Sequence, residues 1–195
     1  SGWVWFRISF VDGVLYTAYS VDGESFTKVV NDISLSYAAG DEFELWLYAA
    51  HDQWSSPTEA AQFDEIVLET SEFSGGGEEG GISAGSTVEL GGKTFTAATA
   101  VGQDGETYIV TGAGRADNNP AGLYVELTGD FTITVTVDLT LETGATAGLT
   151  FMNAGGNYMF LRANASNLLE SYGNLNTGAT GVGGPDVKFA GGEMT

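Results

Sequence analysis

The sequence predicts an all-β fold, an antiparallel β-sandwich or jelly roll, from three observations. Short runs of alternating apolar and polar residues recur along the 195 residues, with turn residues between them. No segment has the period of about 3.6 residues that an amphipathic helix requires. Near the start of the chain, two Asp-Gly dipeptides separate three such runs. Many short strands with regular turns are typical of sandwiches and jelly rolls.

The first part of the chain is predicted to form a meander. Its three strands are Trp3 to Phe10, Val14 to Ser20 and Ser25 to Val30. The turns between them are Asp12-Gly13 and Asp22-Gly23, which favour a type I′ hairpin turn because both central residues need positive φ. Two further strands are predicted at Glu42 to Ala50 and Ala61 to Glu69, with a loop over His51 to Glu59 between them.

A linker rich in Gly and Glu, residues 71–81, divides the chain into a first half, residues 1–70, and a second half, residues 82–195. The linker has no side chains that could build a core. In the second half, the run from Phe131 to Leu139 alternates apolar residues with Thr and Asp, as in a half-buried antiparallel strand. The strands predicted in this half are Ser86 to Leu90, Lys93 to Ala97, Thr107 to Gly112, Ala121 to Leu127, Phe131 to Leu141, Ala145 to Asn153, Tyr158 to Ala163 and Asn167 to Tyr172.

The composition excludes several classes of partner. With 26 acidic and 6 basic residues, the chain has a net charge of −20 and would repel nucleic acids and anionic membranes. No apolar run approaches the roughly 20 residues that a membrane helix needs. The chain has no Cys, which excludes disulfides and thiolate chemistry. Abundant Gly, Thr, Ser and Asn with little Lys favour an extracellular or cell-surface protein.

Six stretches of the chain resemble the concanavalin A-like lectin/glucanase jelly roll of secreted bacterial or archaeal surface proteins. Those in the second half are Val110 to Gly114, Leu127 to Val135 and Ala147 to Met152, and they resemble the first half of that module. Those in the first half are Trp5 to Ile8, Tyr16 to Thr27 and Phe63 to Leu68, and they resemble its second half. The two halves therefore stand in reversed, circularly permuted order, and together they cover nearly all of the chain outside residues 71–81.

Half a sandwich leaves unpaired strand edges and an exposed apolar face, so each half needs a complement. Separate chains could supply it by strand addition in a head-to-tail filament. A tandem array could supply it through a peptide bond from Thr195 to the next Ser1, and a closed, permuted chain could supply it from itself. The sequence favours the first two, and thus a structural repeat or subunit of an extracellular filament or surface polymer whose partners are copies of itself. The alternative is a non-catalytic carbohydrate-binding module of a secreted enzyme or adhesin.

No catalytic constellation is predicted. The single His51 has no Cys partner, and Asp52 beside it does not make a serine triad. Glucanases that share the resemblance use a Glu-x-Asp-x-x-Glu strand, which the chain lacks. Glu42 and Glu44 share one strand face, but a solvated outer face accounts for both. We therefore expect a protein that is not an enzyme.

Tryptophans are the candidate carbohydrate-binding residues, because a flat indole can stack on a pyranose ring. Trp3 and Trp5 lie two residues apart on one strand and so face the same way, while Trp54 lies in a polar loop. For Trp3 and Trp5, packing in the core or at an interface is the role that we expect to be the main one.

We expect no cofactor other than a candidate Ca²⁺ ion, and two further sites are candidates. Asp117, Asn118 and Asn119 offer three consecutive oxygen-bearing side chains that suit Ca²⁺, although a turn would use the same residues. Asn164 begins an Asn-Ala-Ser sequon and is a candidate glycosylation site.

Overall fold

The computed structural model describes residues 3–34, 42–51, 60–70, 81–111, 121–138, 145–153, 158–164, 168–174, 182–183 and 187–188. Two antiparallel sheets form a β-sandwich, and these residues include no helix. The predicted all-β sandwich is therefore confirmed. It follows that the described residues contain no helix that could span a membrane.

The described residues form sixteen strands. In order they are β1 (Trp3–Val11), β2 (Val14–Ser20), β3 (Thr27–Ser34), β4 (Glu42–His51), β5 (Ala60–Thr70), β6 (Thr87–Leu90), β7 (Lys93–Ala97), β8 (Val101–Asp104), β9 (Thr107–Thr111), β10 (Ala121–Thr128), β11 (Phe131–Asp138), β12 (Ala145–Asn153), β13 (Tyr158–Asn164), β14 (Leu168–Asn174), β15 (Val182–Gly183) and β16 (Val187–Lys188). Sheet 1 has the order β3-β2-β1-β11-β5-β9-β8. Sheet 2 has the order β15-β14-β13-β12-β4-β10-β7-β6, and β16 also pairs with β14.

The first three strands form the predicted meander, but its two turns differ. At the first turn, Asp12 (φ 51°) and Gly13 (φ 73°) both have positive φ, as a type I′ turn requires. At the second turn Gly23 has positive φ (76°) and Asp22 does not, so the type I′ prediction is wrong there. The reason is that the Asp22 carboxylate accepts the backbone N–H groups of Glu24 (2.9 Å) and Ser25 (2.7 Å) and stabilises a longer loop.

The two halves of the chain pair with each other inside one molecule. β1 pairs with β11 from Trp3↔Asp138 to Phe10↔Phe131. β4 lies between β10 and β12, and β5 lies between β9 and β11. Strands of residues 1–70 and strands of residues 82–195 thus interdigitate in both sheets. This is the pairing that the closed arrangement predicts, and it differs from the pairing between copies that the sequence favours.

The core lies between the sheets and draws on both halves. Its centre is a group of phenylalanine rings on four strands, Phe10, Phe43, Phe131 and Phe151. The closest pair in this group, Phe43 and Phe151, has ring centroids 4.8 Å apart. The predicted alternation of β11 is confirmed over its described length, because Phe131, Ile133, Val135 and Val137 are all buried.

Some strand assignments differ from the sequence prediction. Strand β8, over Val101–Asp104, was not predicted, because its Val-Gly-Gln-Asp sequence has no β-branched or aromatic alternation. Pairing with β9 across the turn at Gly105 (φ 61°) makes it a strand. Strand β3 continues to Ser34, beyond the predicted end at Val30. The predicted ends of three strands, Gly112, residues 139–141 and Asn167, lie outside the described residues.

Candidate functional site

A groove of about 860 Å³ lies on the outer face of sheet 1, and we call it the Trp5 groove. β1 contributes Trp5 and Arg7 to its wall, and β11 contributes Thr134. β5 supplies a run from Asp64 to Val67, and the remaining walls come from the β6–β7 and β8–β9 hairpins. Together with Gly23 of the β2–β3 loop, six segments that are distant in sequence therefore meet at one concave surface.

A bulge in β5 shapes the floor of the groove. The pairing of β5 with β11 shifts register between Thr134↔Val67 and Thr136↔Asp64, so two β5 residues stand where β11 has one. Glu65, one of those two, has a positive φ of 46°, which is unfavourable for a residue with a side chain. The Glu65 carboxylate Oε2 accepts the Trp5 Nε1–H at 2.9 Å. This hydrogen bond orients the indole and the carboxylate relative to each other.

The Asp64 carboxylate is held by two donors from different strands. Its Oδ1 accepts the backbone N–H of Glu65 at 2.7 Å, and its Oδ2 accepts the hydroxyl of Thr107 at 3.1 Å. No described Lys or Arg forms an ion pair with Asp64 or Glu65. Both carboxylates therefore retain acceptor capacity toward the groove.

Arg7 is the one basic residue in the lining of the groove. Its Nε donates to the Thr134 hydroxyl at 3.0 Å. Its guanidinium carbon lies 3.5 Å from the centroid of the Phe26 ring, a cation–π contact. These two contacts fix the side chain against the sheet.

The opposite wall carries an amide and a phenol. The Gln103 Nε2 donates to the Gly105 carbonyl at 3.0 Å and lies 3.5 Å from the Tyr108 hydroxyl. The Gln103 Oε1 is buried and has no hydrogen-bond partner among the described residues. Burial and the nearby charge of Glu106 raise the pKa of Tyr108, which keeps its phenol protonated at neutral pH.

Trp3 and Trp5 both lie half-buried on the outer face of β1, whereas Val4, Phe6 and Ile8 face the core. Of the two tryptophans, Trp5 lines the groove and Trp3 does not. The indole of Trp5 packs so closely on Gly23 that a Cβ there would lie 3.1 Å from Trp5 Cε2. The sequence assigned the same candidate role to Trp3 and Trp5, but in the structure only Trp5 lines the groove.

Most other candidate residues lie outside the described residues, namely Trp54, Asp117, Asn118 and Asn119. Asn164 is the last residue of β13, and its side chain and the rest of its sequon are not described. His51 ends β4, again without a described side chain. No group of three or more His, Asp or Glu in the described ranges is placed to hold a metal ion. The calcium and glycosylation sites remain predictions.

Glu42 and Glu44 lie on β4 in sheet 2, away from the Trp5 groove. Glu44 Oε2 accepts the Trp46 Nε1–H at 3.0 Å. The Trp46 ring stacks on Tyr124 with a centroid distance of 4.6 Å. Glu44 therefore has a structural partner on its own strand.

Sequence reasoning named Trp5 but missed the residues around it, chiefly Asp64, Glu65, Gln103 and Tyr108. They lie far from Trp5 in the chain, and only strand pairing brings them together. One local signal was present, because Phe63-Asp64-Glu65-Ile66 interrupts the alternation of β5 and so indicates a bulge.

The chain matches no protein-family model and no curated protein. The concanavalin A-like assignment therefore rests on the resemblance of the quoted stretches, while the structure shows an antiparallel β-sandwich of jelly-roll type.

Proposed function

We propose that this chain is a non-catalytic carbohydrate-binding module of a secreted enzyme or adhesin, and that the Trp5 groove binds the sugar. One observation carries the proposal: a half-buried tryptophan lines a groove beside carboxylates that the protein already orients. The volume of about 860 Å³ is that of a small-molecule or oligosaccharide site.

The chemistry of the groove suits a sugar. The exposed part of the Trp5 indole offers an apolar surface to the C–H groups of a pyranose ring. Each oxygen of Asp64 accepts one hydrogen bond from the protein and has a second lone pair for a sugar hydroxyl. The Tyr108 phenol, protonated at neutral pH, can donate to a ring or hydroxyl oxygen.

The closed pairing of the two halves supports a self-contained module. Because residues 1–70 and 82–195 complete both sheets within one chain, no second copy is needed to cover the core. A module of this kind can be linked to an enzyme or an adhesin without depending on assembly. An acidic, Cys-free and Gly-rich chain is consistent with an extracellular location.

The proposed module does not catalyse hydrolysis. Glycosidases need two carboxyl groups on opposite sides of the scissile bond. Asp64 and Glu65, the two carboxylates beside Trp5, are adjacent in sequence and both already accept hydrogen bonds from the protein, so this pair does not flank a bond from opposite sides. We expect binding without turnover.

Isothermal titration calorimetry against ligands chosen from a glycan array tests this function. Trp5→Ala should weaken sugar binding about five-fold, because loss of one aromatic contact costs on the order of 1 kcal/mol. Trp3→Ala is the matched control, since Trp3 lies on the same face of β1 outside the groove. If no glycan binds the unaltered protein, or if both variants bind as well as it does, the proposal is wrong.

A structural repeat of an extracellular filament or surface polymer is the second candidate. The interdigitation of the halves is compatible with it, because an exchange of residues 1–70 between copies would reproduce every strand pair seen within the chain. Light scattering over a range of protein concentrations, with micrographs of the native material, distinguishes the two candidates. A monomer at all concentrations supports the binding module, and detergent-resistant filaments support the polymer.

A further inference from the structure

We propose that the Trp5 groove prefers sugars with free amino groups, such as glucosamine oligomers, over neutral or N-acetylated sugars. This inference rests on the proposed sugar-binding function and specifies its ligand class.

The groove concentrates negative charge. Its lining contains the carboxylates of Asp64, Glu65, Glu69, Glu89 and Glu106. Arg7 is the only opposing charge in that lining. The described ion pairs, Lys28–Asp32 and Arg162–Glu170, involve none of these five groups. A cation that enters the groove therefore meets carboxylates that no basic side chain neutralises.

The hydrogen-bonding groups of the groove are a second reason to expect an amino sugar. The Trp5 Nε1–H donates to Glu65 and the Arg7 Nε–H donates to Thr134, so these two N–H groups are already used. The buried Oε1 of Gln103 lacks a partner among the described residues and lies in the same wall. With five carboxylates in its lining, the groove offers more hydrogen-bond acceptors than donors, which suits a ligand rich in donors.

An ammonium group meets both requirements better than a hydroxyl group or an acetamide. It has three N–H donors and a positive charge, whereas an N-acetyl group keeps one N–H and no charge. Hydrogen bonds between ammonium and carboxylate groups are about twice as strong as those between neutral groups. Uronic acids and sulfated sugars would be repelled by the same carboxylates. Trp5 supplies the contact for the sugar ring itself.

The first experiment compares glucosamine and N-acetylglucosamine oligomers of equal length by calorimetry. We expect the glucosamine oligomer to bind at least ten-fold more tightly at low salt. Its advantage should shrink as salt is added, because screening weakens the charge interactions in an open groove. The N-acetylated oligomer should show little salt dependence.

The second experiment removes charge without removing the tryptophan contact. Glu69→Gln with Glu106→Gln neutralises two groove carboxylates for which the described structure has no hydrogen bond to the side chain. We expect this double variant to lose most of the preference for glucosamine, measured as the ratio of the dissociation constants of the two oligomers. The matched control is Glu42→Gln with Glu126→Gln, which makes the same change of charge on the outer face of sheet 2 and should keep the preference.

The possible failures are distinguishable. If the N-acetylated or a neutral oligomer binds as tightly as the glucosamine oligomer, the amino-sugar inference is overturned while sugar binding stands. If spermidine, a polyamine without a sugar ring, binds as tightly as the glucosamine oligomer, the groove recognises charge alone and the inference is also overturned. If no oligosaccharide binds, the proposed function fails together with the inference.

Discussion

Replacing Phe151 with alanine tests whether the two halves of the chain form one core. Phe151 is fully buried (0% exposed) on β12. Its ring lies 4.8 Å from that of Phe43, 5.6 Å from Phe131 and 6.2 Å from Phe10, between centroids. Phe10 and Phe43 belong to residues 1–70, and Phe131 and Phe151 belong to residues 82–195. The variant therefore weakens contacts within and between the halves.

The expected loss is large relative to the stability of the whole protein. A buried Phe→Ala change typically costs about 3–5 kcal/mol. Each ring pair contributes about 0.5–1.5 kcal/mol beyond the buried area, which places Phe151→Ala near the upper end, at about 4–5 kcal/mol. A typical domain is stable by only about 5–15 kcal/mol. Val11→Ala is the control, because Val11 is 41% exposed and its truncation should cost about 0.5 kcal/mol or less.

Guanidinium chloride unfolding, followed by tryptophan fluorescence and far-UV circular dichroism, measures this loss. With an m-value of about 4 kcal/mol/M, the midpoint of Phe151→Ala should fall by about 1 M. Both probes should give one coincident transition for the unaltered protein, since the halves share a core. The midpoint should not depend on protein concentration.

Three results would refute this reasoning. Two separate transitions would mean that the halves unfold independently. A midpoint that rises with protein concentration would mean that copies complete each other, as in the filament alternative. A loss below about 1 kcal/mol would mean that Phe151 does not pack as the structure places it.

The remaining predictions concern single positions. Gly122→Ala should cost more than about 2 kcal/mol in denaturant unfolding, because Gly122 has a φ of 141° and a Cβ would lie 1.9 Å from the Leu47 carbonyl oxygen. Gly81→Ala, where the nearest atom would be 3.7 Å away, should be nearly neutral, and equal costs for the two variants would contradict the strain argument. The pKa of Asp22 is lowered from 3.8 to about 2 by hydrogen bonds from Ser25, Ser20 and Glu24. Because the folded pKa is the lower one, the stabilisation by Asp22 is present above about pH 4 and is lost as the pH falls toward 2. The difference in melting temperature between the unaltered protein and Asp22→Asn should therefore narrow over that range, and a constant difference would show that the carboxylate charge is not responsible. No glycosidase activity is expected, and hydrolysis that disappears in Glu44→Gln would overturn this.

The sequence by itself determined the fold class and most of the strands. Alternation along a strand has a period of two and is a local property, so the buried and exposed faces of β11 follow directly from Phe131 to Val137. The turn at Asp12-Gly13 is equally local, because its residues tolerate positive φ. The same prediction was wrong for Asp22-Gly23, because the Asp22 carboxylate accepts a backbone hydrogen bond from Ser25 and stabilises a different loop.

Only the tertiary structure decided which strands complete each half and where the groove lies. The apolar alternation and the unpaired strand edges of residues 1–70 are the same whether their partner strands belong to the same chain or to another copy. The local sequence pattern therefore cannot predict which of these arrangements forms. The pairing of β1 and β5 with β11 makes that choice and brings Trp5 beside Glu65. Trp5 and Glu65 are 60 residues apart in sequence, and their hydrogen bond depends on the bulge in β5. A local sequence pattern cannot predict a contact between residues so far apart.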